Sequence, residues 1–225
     1  MEYLGDVYDS YYICRDVQRD IPTILMFEKW CKEHGKKLCL LANSGCIRNC
    51  PFQVFHETLL AHNYAKAVKE MSTQKMGLIC NRQFRNEKFT EILRASWIRP
   101  EDIHLWEPHV SVIKLSTREA EHPECIMKAY VEEKWDDNLL YLLDPSFSFY
   151  FRPLMIDNRK FPKDWAVSGI GGKCADNCTN CGKCDAVLEQ VLVNDVDRLF
   201  QKDKNGKHAQ FTFQTFPFSA PNSSK

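Results

Sequence analysis

Segments with the apolar pattern of strands alternate with segments typical of amphipathic helices through the first 135 residues. Such alternation favours βαβ units, in which helices join parallel strands and cover the sheet. The strands are predicted at 7–14, 37–42, 76–80 and 110–115, and the helices at 20–35, from 51 onward, at 87–93 and at 122–135. The sequence therefore predicts an α/β fold with four or five such units.

The number of these units limits the architecture. A closed (β/α)₈ barrel typically needs about 250 residues, whereas the βα pattern here occupies about 135. The predicted fold class is therefore α/β, with a partial (half) β/α barrel-like parallel sheet and a C-terminal cysteine-rich metal-binding segment. Half a barrel exposes strand edges that natural proteins normally cover. We therefore expect a fragment, one half of a split protein or a dimer, in which a second polypeptide or a second copy completes the barrel.

Three regions follow from the composition along the chain. Residues 1–150 are predicted to form the half-barrel βα domain, residues 151–201 a cysteine-rich metal-binding segment with a helix, and residues 202–225 a tail. Asp185 is the predicted N-cap of that helix. The tail is polar apart from FTFQTF at 211–216, whose alternation is typical of an edge strand.

Composition and the N-terminal residues narrow the function classes and the compartment. Thirty basic residues balance thirty acidic ones, so the net charge gives no electrostatic reason to expect binding to nucleic acid or to a membrane surface. Residues 1–13 lack the pattern of a secretion signal, and no apolar run approaches the roughly 20 residues that span a bilayer. We expect a cytoplasmic protein without membrane contact, in which the eleven cysteines stay reduced.

Four of the eleven cysteines lie close together near the C-terminus. The string KCADNCTNCGKC places Cys174, Cys178, Cys181 and Cys184 at C-x3-C-x2-C-x2-C spacing. Thiolates at these spacings suit a tetrahedral zinc ion or a [4Fe–4S] cluster, because both favour soft sulfur donors. In bacterial ferredoxins a tight run of this kind binds three irons of one cluster. By that analogy three of these thiols hold a cluster with a distant fourth ligand, and the simplest alternative is four unrelated buried cysteines.

A second pair of cysteines lies in NSGCIRNCPFQVFH, residues 43–56. Cys46 and Cys50 follow a predicted strand and precede a helix that begins at Pro51, and the sites of α/β folds collect at this end of the strands. The helix N-terminus also favours the thiolate. We therefore predict that these thiols bind a cofactor or act as redox groups. His56 is a candidate ligand or proton carrier in catalysis, and the alternative is a hydrogen-bonded core histidine.

A third candidate site lies in WIRPEDIH and in IKLSTRE, which follows it. Arg99, Glu101 and Asp102 come after the end of a probable strand, whereas Lys114 and Arg118 lie on and after the next strand. Clustered charges at strand ends bind anionic substrates or perform acid–base chemistry, so the first three residues are candidate catalytic groups. The alternative is structural: the carboxylates favour a helix N-terminus and the arginines pair with them.

These strings together resemble one known family. In their order along the chain they resemble the collagenase-like peptidase family (peptidase family U-thirty-two), in its bacterial branch with a cysteine-rich C-terminus. The strings are NSGCIRNCPFQVFHETLLAHN, SWIRPEDI, VIKLSTR, KAYVEEKWDDNL and KCADNCTNCGKC. The resemblance covers roughly residues 4–190. It implies a barrel-like α/β fold, of which this chain corresponds to the C-terminal half.

The resemblance also implies a chemistry. Relatives include oxygen-independent hydroxylases that act on ubiquinone precursors and on RNA bases and bind [4Fe–4S] clusters through cysteines, whereas proteolysis is claimed for other members. By position, Cys46, Cys50 and the four C-terminal cysteines are the implied ligands, and Cys80 is a weaker one. We expect a cluster-dependent enzyme, or a subunit of one, that modifies a small molecule, RNA or a peptide. The alternatives are a non-catalytic zinc- or cluster-binding interaction module and, third, a peptidase.

Overall fold

The computed structural model describes residues 7–66, 80, 84, 89–118, 120–148, 151, 153–168 and 178–194. Within these residues the helices are α1 (Ile21–Glu33), α2 (Gln53–Lys66), α3 (Thr90–Arg94), α4 (Pro123–Val131), α5 (Trp165–Ser168), α6 (Cys178–Cys181) and α7 (Lys183–Val191). The strands are β1 (Ser10–Tyr12), β2 (Lys37–Leu41), β3 (Val112–Lys114), β4 (Leu154–Ile156) and β5 (Leu192–Asn194). Short 3-10 helices occur at Pro100–Leu105, Glu107–His109, Leu139–Tyr141 and Asn158–Lys160.

Three short parallel strands form the central sheet, in the order β1-β2-β3. Tyr11 is in register with Leu38, and Leu40 with Ile113. The predicted α/β class with a parallel sheet is therefore confirmed, while closure toward a half-barrel stays a prediction. The strand predicted at 76–80 lies outside the described residues except for Cys80, whose backbone is helical. The predicted strand in the tail also lies outside the described residues.

Helix α1 forms where the sequence predicts it, because local signals set both of its ends. Asp20 is the N-cap with an extended backbone, and Pro22 lies in the first turn, where the missing N–H of proline costs no helical hydrogen bond. Gly35 follows the helix at a φ of +63°, which glycine adopts without strain. Ile24 and Cys31 are buried on the inner face of the helix, so α1 covers one side of the sheet.

The two faces of the sheet have different surroundings. Leu38 and Leu40 are buried in the main hydrophobic core, and Ile113 packs against it. Tyr12 and Val112 lie on the opposite face, where they are 56% and 43% exposed. Parallel sheets normally have both faces covered. The second polypeptide or second copy that is predicted to complete the barrel stays a prediction.

Helix α2 follows the candidate cysteine pair and is only lightly packed. Leu59 is buried, but Phe52, Val54 and Phe55 are largely exposed. The apolar residues that predict this helix therefore do not all face the core. The helix has 14 residues, and among the described residues no helix combines the length and the apolar character needed to cross a membrane.

The last described segment packs onto the same core as the sheet. β4 and β5 pair in antiparallel fashion, and Leu188 and Val191 of α7 are buried among the core residues. The hydroxyl of Thr90 on α3 donates to Asp185 of α7 at 2.6 Å. The prediction of Asp185 as the N-cap is wrong, because α7 begins earlier: Gly182, at a φ of +63°, is the N-cap, and Asp185 lies in the first turn. The division of the chain into three regions stays a prediction.

Candidate functional site

The loop that carries Cys46 begins directly after β2, at the carboxyl end of the sheet. Asn43 in this loop is fully buried, and its Nδ2 donates to the carbonyls of Ser116 at 2.6 Å and of Leu142 at 2.9 Å. Its Oδ1 accepts a hydrogen bond from the Ser116 N–H at 2.8 Å. Because a buried amide requires such partners, Asn43 ties the ends of β2 and β3 together and fixes the start of the loop.

Gly45 allows the same loop to lie close against its neighbour. The Gly45 N–H donates to the carbonyl of Asp144 at 3.0 Å. A Cβ atom at this position would lie 2.9 Å from Cε2 of Phe147 and 3.1 Å from Cβ of Leu143. Only glycine fits this approach without a shift of the neighbouring residues, so the position of Cys46 is set by the packing of the residue before it.

Arg15 reaches the cysteine loop from the residues that follow β1. Its Nη1 donates to Sγ of Cys46 at 3.3 Å, and its Nη2 donates to the carboxylate of Glu57 on α2. The side chain of Arg15 is 20% exposed and that of Glu57 is 57% exposed. The arginine therefore joins a half-buried thiol to a carboxylate at the surface.

Three cysteines from two segments of the chain act on one another at this site. Burial raises the pKa of the Cys80 thiol, and the neighbouring thiols of Cys50 and Cys46 raise it further. Burial also raises the pKa of Cys46, against the opposing effect of the Arg15 guanidinium, while Asp144 adds to the increase. Thiols that raise one another's pKa in this way lie near one another. The structure thus brings the weaker candidate, Cys80, to the predicted pair.

The number and the chemistry of these thiols bear on the metal group that they suit. Among the described residues, no three His, Cys, Asp or Glu side chains are arranged to hold a metal ion. In a [4Fe–4S] cluster each cysteine binds a different iron, so the ligand sulfurs stand farther apart than the four ligands of one zinc ion. Soft sulfur donors with an N–H donor beside them are also typical ligands of such clusters. Three thiols would supply three of the four ligands that such a cluster takes, and binding of a cluster here stays a prediction.

His56 lies on α2 next to this site but makes no described contact with the thiols. It is half-buried, and its backbone N–H donates to the carbonyl of Phe52 at 2.8 Å. Its imidazole has no hydrogen-bond or ion-pair partner among the residues that the structure describes. The alternative of a hydrogen-bonded core histidine therefore finds no support in these residues, and a role as ligand or proton carrier stays a prediction.

Arg99, Glu101 and Asp102 lie together at the start of a 3-10 helix. Arg99 and Asp102 are buried and form a two-point ion pair, with Nε 2.7 Å from Oδ2 and Nη2 2.9 Å from Oδ1. Oε1 of Glu101 accepts hydrogen bonds from the Trp135 N–H and from Nδ2 of Asn158, both at 2.7 Å. Arg99 and Asp102 therefore pair with each other, and Glu101 is bonded through Oε1, while its Oε2 has no hydrogen-bond partner among the described residues.

A cleft of about 530 Å³ adjoins this charged group. Two of its cations are paired with nearby carboxylates: Nζ of Lys134 lies 2.8 Å from Asp136, and Nε of Arg159 lies 2.8 Å from Asp157. No hydrogen bond or ion pair between described residues joins the cleft to the cysteine site. The catalytic role of Arg99, Glu101 and Asp102 stays a prediction.

Lys114 and Arg118 follow the third strand to the same end of the sheet as the thiols. Nζ of Lys114 lies 5.7 Å from the centre of the Tyr12 ring. Arg118 is 84% exposed, and its Nη2 lies 3.5 Å from Oδ2 of Asp144, the carboxylate that also acts on Cys46. Of the charged residues singled out in the sequence, Arg118 thus has a described link to the cysteine site.

The C-terminal cysteine run is only partly described. Cys174 lies outside the described residues, and Cys178 begins α6. Cys181 is exposed, whereas Cys184 is half-buried and packs against the core. A metal site formed by these four cysteines therefore stays a prediction.

Sequence reasoning missed four residues that shape the cysteine site: Arg15, Asn43, Gly45 and Asp144. Asn43 and Gly45 lie in the same string as Cys46, directly after a predicted strand. That position could have indicated that they belong to the same site. Arg15 and Asp144 are far from Cys46 in the chain, and no spacing or periodicity connects them to it. The parallel pairing of β1 with β2 brings Arg15 near Cys46, and backbone hydrogen bonds with Asn43 and Gly45 bring Asp144 there.

The raised pKa of Cys46 predicts slow alkylation. The thiolate is the reactive form, so a pKa above its usual value leaves less of it at neutral pH. In metal-free protein we expect iodoacetamide to modify Cys46 at least about tenfold more slowly than the exposed Cys14 and Cys181. The rate at Cys46 should rise as the pH is increased toward its pKa. Peptide mass spectrometry measures each rate, and equal rates at Cys46 and Cys14 would contradict the burial of the thiol.

Comparison with known proteins gives one informative match. No protein-family profile and no solved structure matches the chain. The chain is similar to a protein named an uncharacterized protease, from Methanocaldococcus jannaschii, with 28% identity over 163 residues. The match covers 69% of this chain and 46% of the relative, so the chain spans about half the length of the curated relative that it matches. A peptidase-family relationship fits this match, and the particular family stays a prediction.

Proposed function

We propose that this chain binds an iron–sulfur cluster through Cys46, Cys50 and Cys80 and acts in an oxygen-independent modifying enzyme, either as the enzyme or as one of its subunits. The observation that carries the proposal is the electrostatic effect of three thiols on one another, two from the loop after β2 and one from the segment of Cys80, beside the carboxyl end of a parallel sheet. Cofactors and substrates of open α/β folds bind outside this end of the strands.

The residues around the thiols have distinct roles in this proposal. Cys46, Cys50 and Cys80 would hold the cluster together with a fourth ligand from elsewhere, and a bound cluster supplies one-electron chemistry. Asn43 holds the loop that presents Cys46, and Arg15 donates a hydrogen bond to the Cys46 sulfur. The substrate remains one of the three predicted classes: a small molecule, RNA or a peptide.

A second metal site is part of the proposal. The spacing of Cys174, Cys178, Cys181 and Cys184 supports binding of zinc or of a cluster. If the chain is instead a non-catalytic interaction module, this run would be structural and the protein would hold zinc alone. Small domains that depend on a structural zinc ion commonly unfold when a chelator removes the metal.

Purification without oxygen tests the proposal. We expect a brown protein with broad visible absorbance that loses its colour in air. Iron and acid-labile sulfide should be present in equal amounts, about four of each for every cluster that a chain holds. Elemental analysis and visible spectroscopy provide the measurement. A colourless protein that holds zinc alone would favour the interaction module. A protein without either metal would contradict both functions.

A peptidase is the third candidate, and the name of the relative favours it. A cysteine peptidase needs a thiol within hydrogen-bond reach of a histidine. Among the described residues Cys46 meets Arg15 and Ser44 instead, and burial moves its pKa in the direction opposite to activation. Cleavage of denatured casein by the purified chain, with loss of that cleavage in Cys46→Ala, would favour the peptidase over the cluster enzyme.

A further inference from the structure

Arg15 holds a defined place between the cysteine loop and helix α2. Its two terminal nitrogens point to different partners: Nη1 donates to Sγ of Cys46 at 3.3 Å, and Nη2 donates to the carboxylate of Glu57. Nε2 of Gln53, one turn earlier on α2, lies 3.4 Å from the same oxygen of Glu57. Among the described residues the guanidinium makes no other hydrogen bond. Its position is therefore determined by one sulfur and one carboxylate.

The contribution of Arg15 to folding does not account for this arrangement. Ion pairs between exposed side chains contribute little to stability, and Glu57 is 57% exposed. A neutral thiol is only a weak hydrogen-bond acceptor. A thiolate that ligates a metal carries negative charge, and a charged donor then forms a much stronger hydrogen bond with it. The arrangement is therefore most useful when Cys46 is a ligand.

We propose that Arg15 is a positioning residue that raises the reduction potential of the cluster held by Cys46, and that Glu57 directs it at the sulfur. This inference rests on the proposed function, because it concerns the same site. Reduction adds negative charge to a cluster and its sulfurs. A cation that donates to a ligand sulfur therefore stabilises the reduced form more than the oxidised form.

The shape of the guanidinium explains why arginine occupies this position. Its planar fork can bond a carboxylate and a sulfur simultaneously, each through a different nitrogen. The ammonium of lysine is a single compact charge on a flexible chain and lacks that fixed fork. Arg15→Lys thus keeps the charge while loosening the hydrogen bond, whereas Arg15→Gln removes the charge. The two substitutions separate the effect of charge from the effect of geometry.

The experiment is a redox titration of the full chain. Wild type, Arg15→Gln, Arg15→Lys and Lys37→Gln are reconstituted anaerobically with ferrous iron and sulfide, and iron per chain is measured for each. The midpoint potential of the cluster is then followed by electron paramagnetic resonance. Lys37→Gln is the matched control, because Lys37 is exposed at the amino end of β2 and the substitution removes one positive charge far from the thiols.

We expect the midpoint potential to fall in Arg15→Gln, to fall less in Arg15→Lys, and to stay at the wild-type value in Lys37→Gln. Equal potentials in wild type and Arg15→Gln at equal iron content would overturn the role of Arg15 and leave the proposed function intact. An equal fall in Lys37→Gln would also overturn it. If Arg15→Gln takes up no iron, the midpoint potential of Arg15→Lys is compared with that of wild type instead. Equal potentials in that comparison overturn the proposal. Wild-type protein that takes up no cluster removes the proposed function itself.

Discussion

Replacing Arg99 with alanine should lower the free energy of unfolding by about 3–5 kcal/mol, because it leaves a buried carboxylate without its partner. The side chains of Arg99 and Asp102 are 7% and 8% exposed, and two hydrogen bonds of 2.7 and 2.9 Å join them. The guanidinium also lies 4.9 Å from the centre of the Phe161 ring. Without Arg99 the Asp102 carboxylate would keep its charge in a position that is only 8% exposed, so the loss extends beyond a single surface contact.

Urea denaturation of matched variants measures this effect. Arg118→Ala is the control, because Arg118 is 84% exposed and contacts Asp144 only at 3.5 Å, and its stability should stay within about 0.5 kcal/mol of wild type. The double variant Arg99→Met/Asp102→Leu removes both charges and should lose much less than Arg99→Ala. If Arg99→Ala unfolds at the wild-type urea concentration, the ion pair does not support the fold.

The helices and strands with local signals were predictable. Asp20 and Pro22 mark the start of α1, Gly35 marks its end, and the apolar run after Gly35 forms β2. These signals depend on the few residues around each boundary, so no tertiary contact is needed to recognise them. The start of α7 was not predictable in this way. Asp185 has the chemistry of an N-cap, but α7 begins before it and Gly182 is the N-cap.

The location of the cysteine pair was predictable, but its surroundings were not. Cys46 and Cys50 fall after a strand and before a helix, and the order of those elements alone sends them to the carboxyl end of a parallel sheet. Arg15 comes from the loop after the neighbouring strand, and its contact with Cys46 depends on the alignment of β1 with β2. Cys80 joins Cys46 and Cys50 from another segment. Apart from Cys80 itself, the strand predicted at 76–80 lies outside the described residues.

The charged string at Arg99 shows why a motif leaves two explanations open. A charge cluster after a strand suits both an exposed active site and a buried ion pair. The choice depends on Trp135, Asn158 and Phe161, which are distant in the chain and supply the partners and the cover of this group. Spacing within the string carries no information about those contacts.

The second large effect concerns the thiols themselves. Serine is a poor ligand for iron compared with the thiolate of cysteine, so the double variant Cys46→Ser/Cys50→Ser should lose the air-sensitive cluster almost completely. Cys178→Ser/Cys181→Ser removes the same number of thiols from the C-terminal run and serves as the matched control. This control should lose the metal that the C-terminal run itself binds and keep the cluster bound by Cys46, Cys50 and Cys80.

Iron per chain in these two double variants, measured after anaerobic reconstitution beside wild type, tests the cysteine site most directly. We expect Cys46→Ser/Cys50→Ser to lose the iron and sulfide of one cluster together with its paramagnetic signal on reduction, while Cys178→Ser/Cys181→Ser retains that signal. Wild-type iron content and an unchanged signal in Cys46→Ser/Cys50→Ser would show that these thiols are not the ligands.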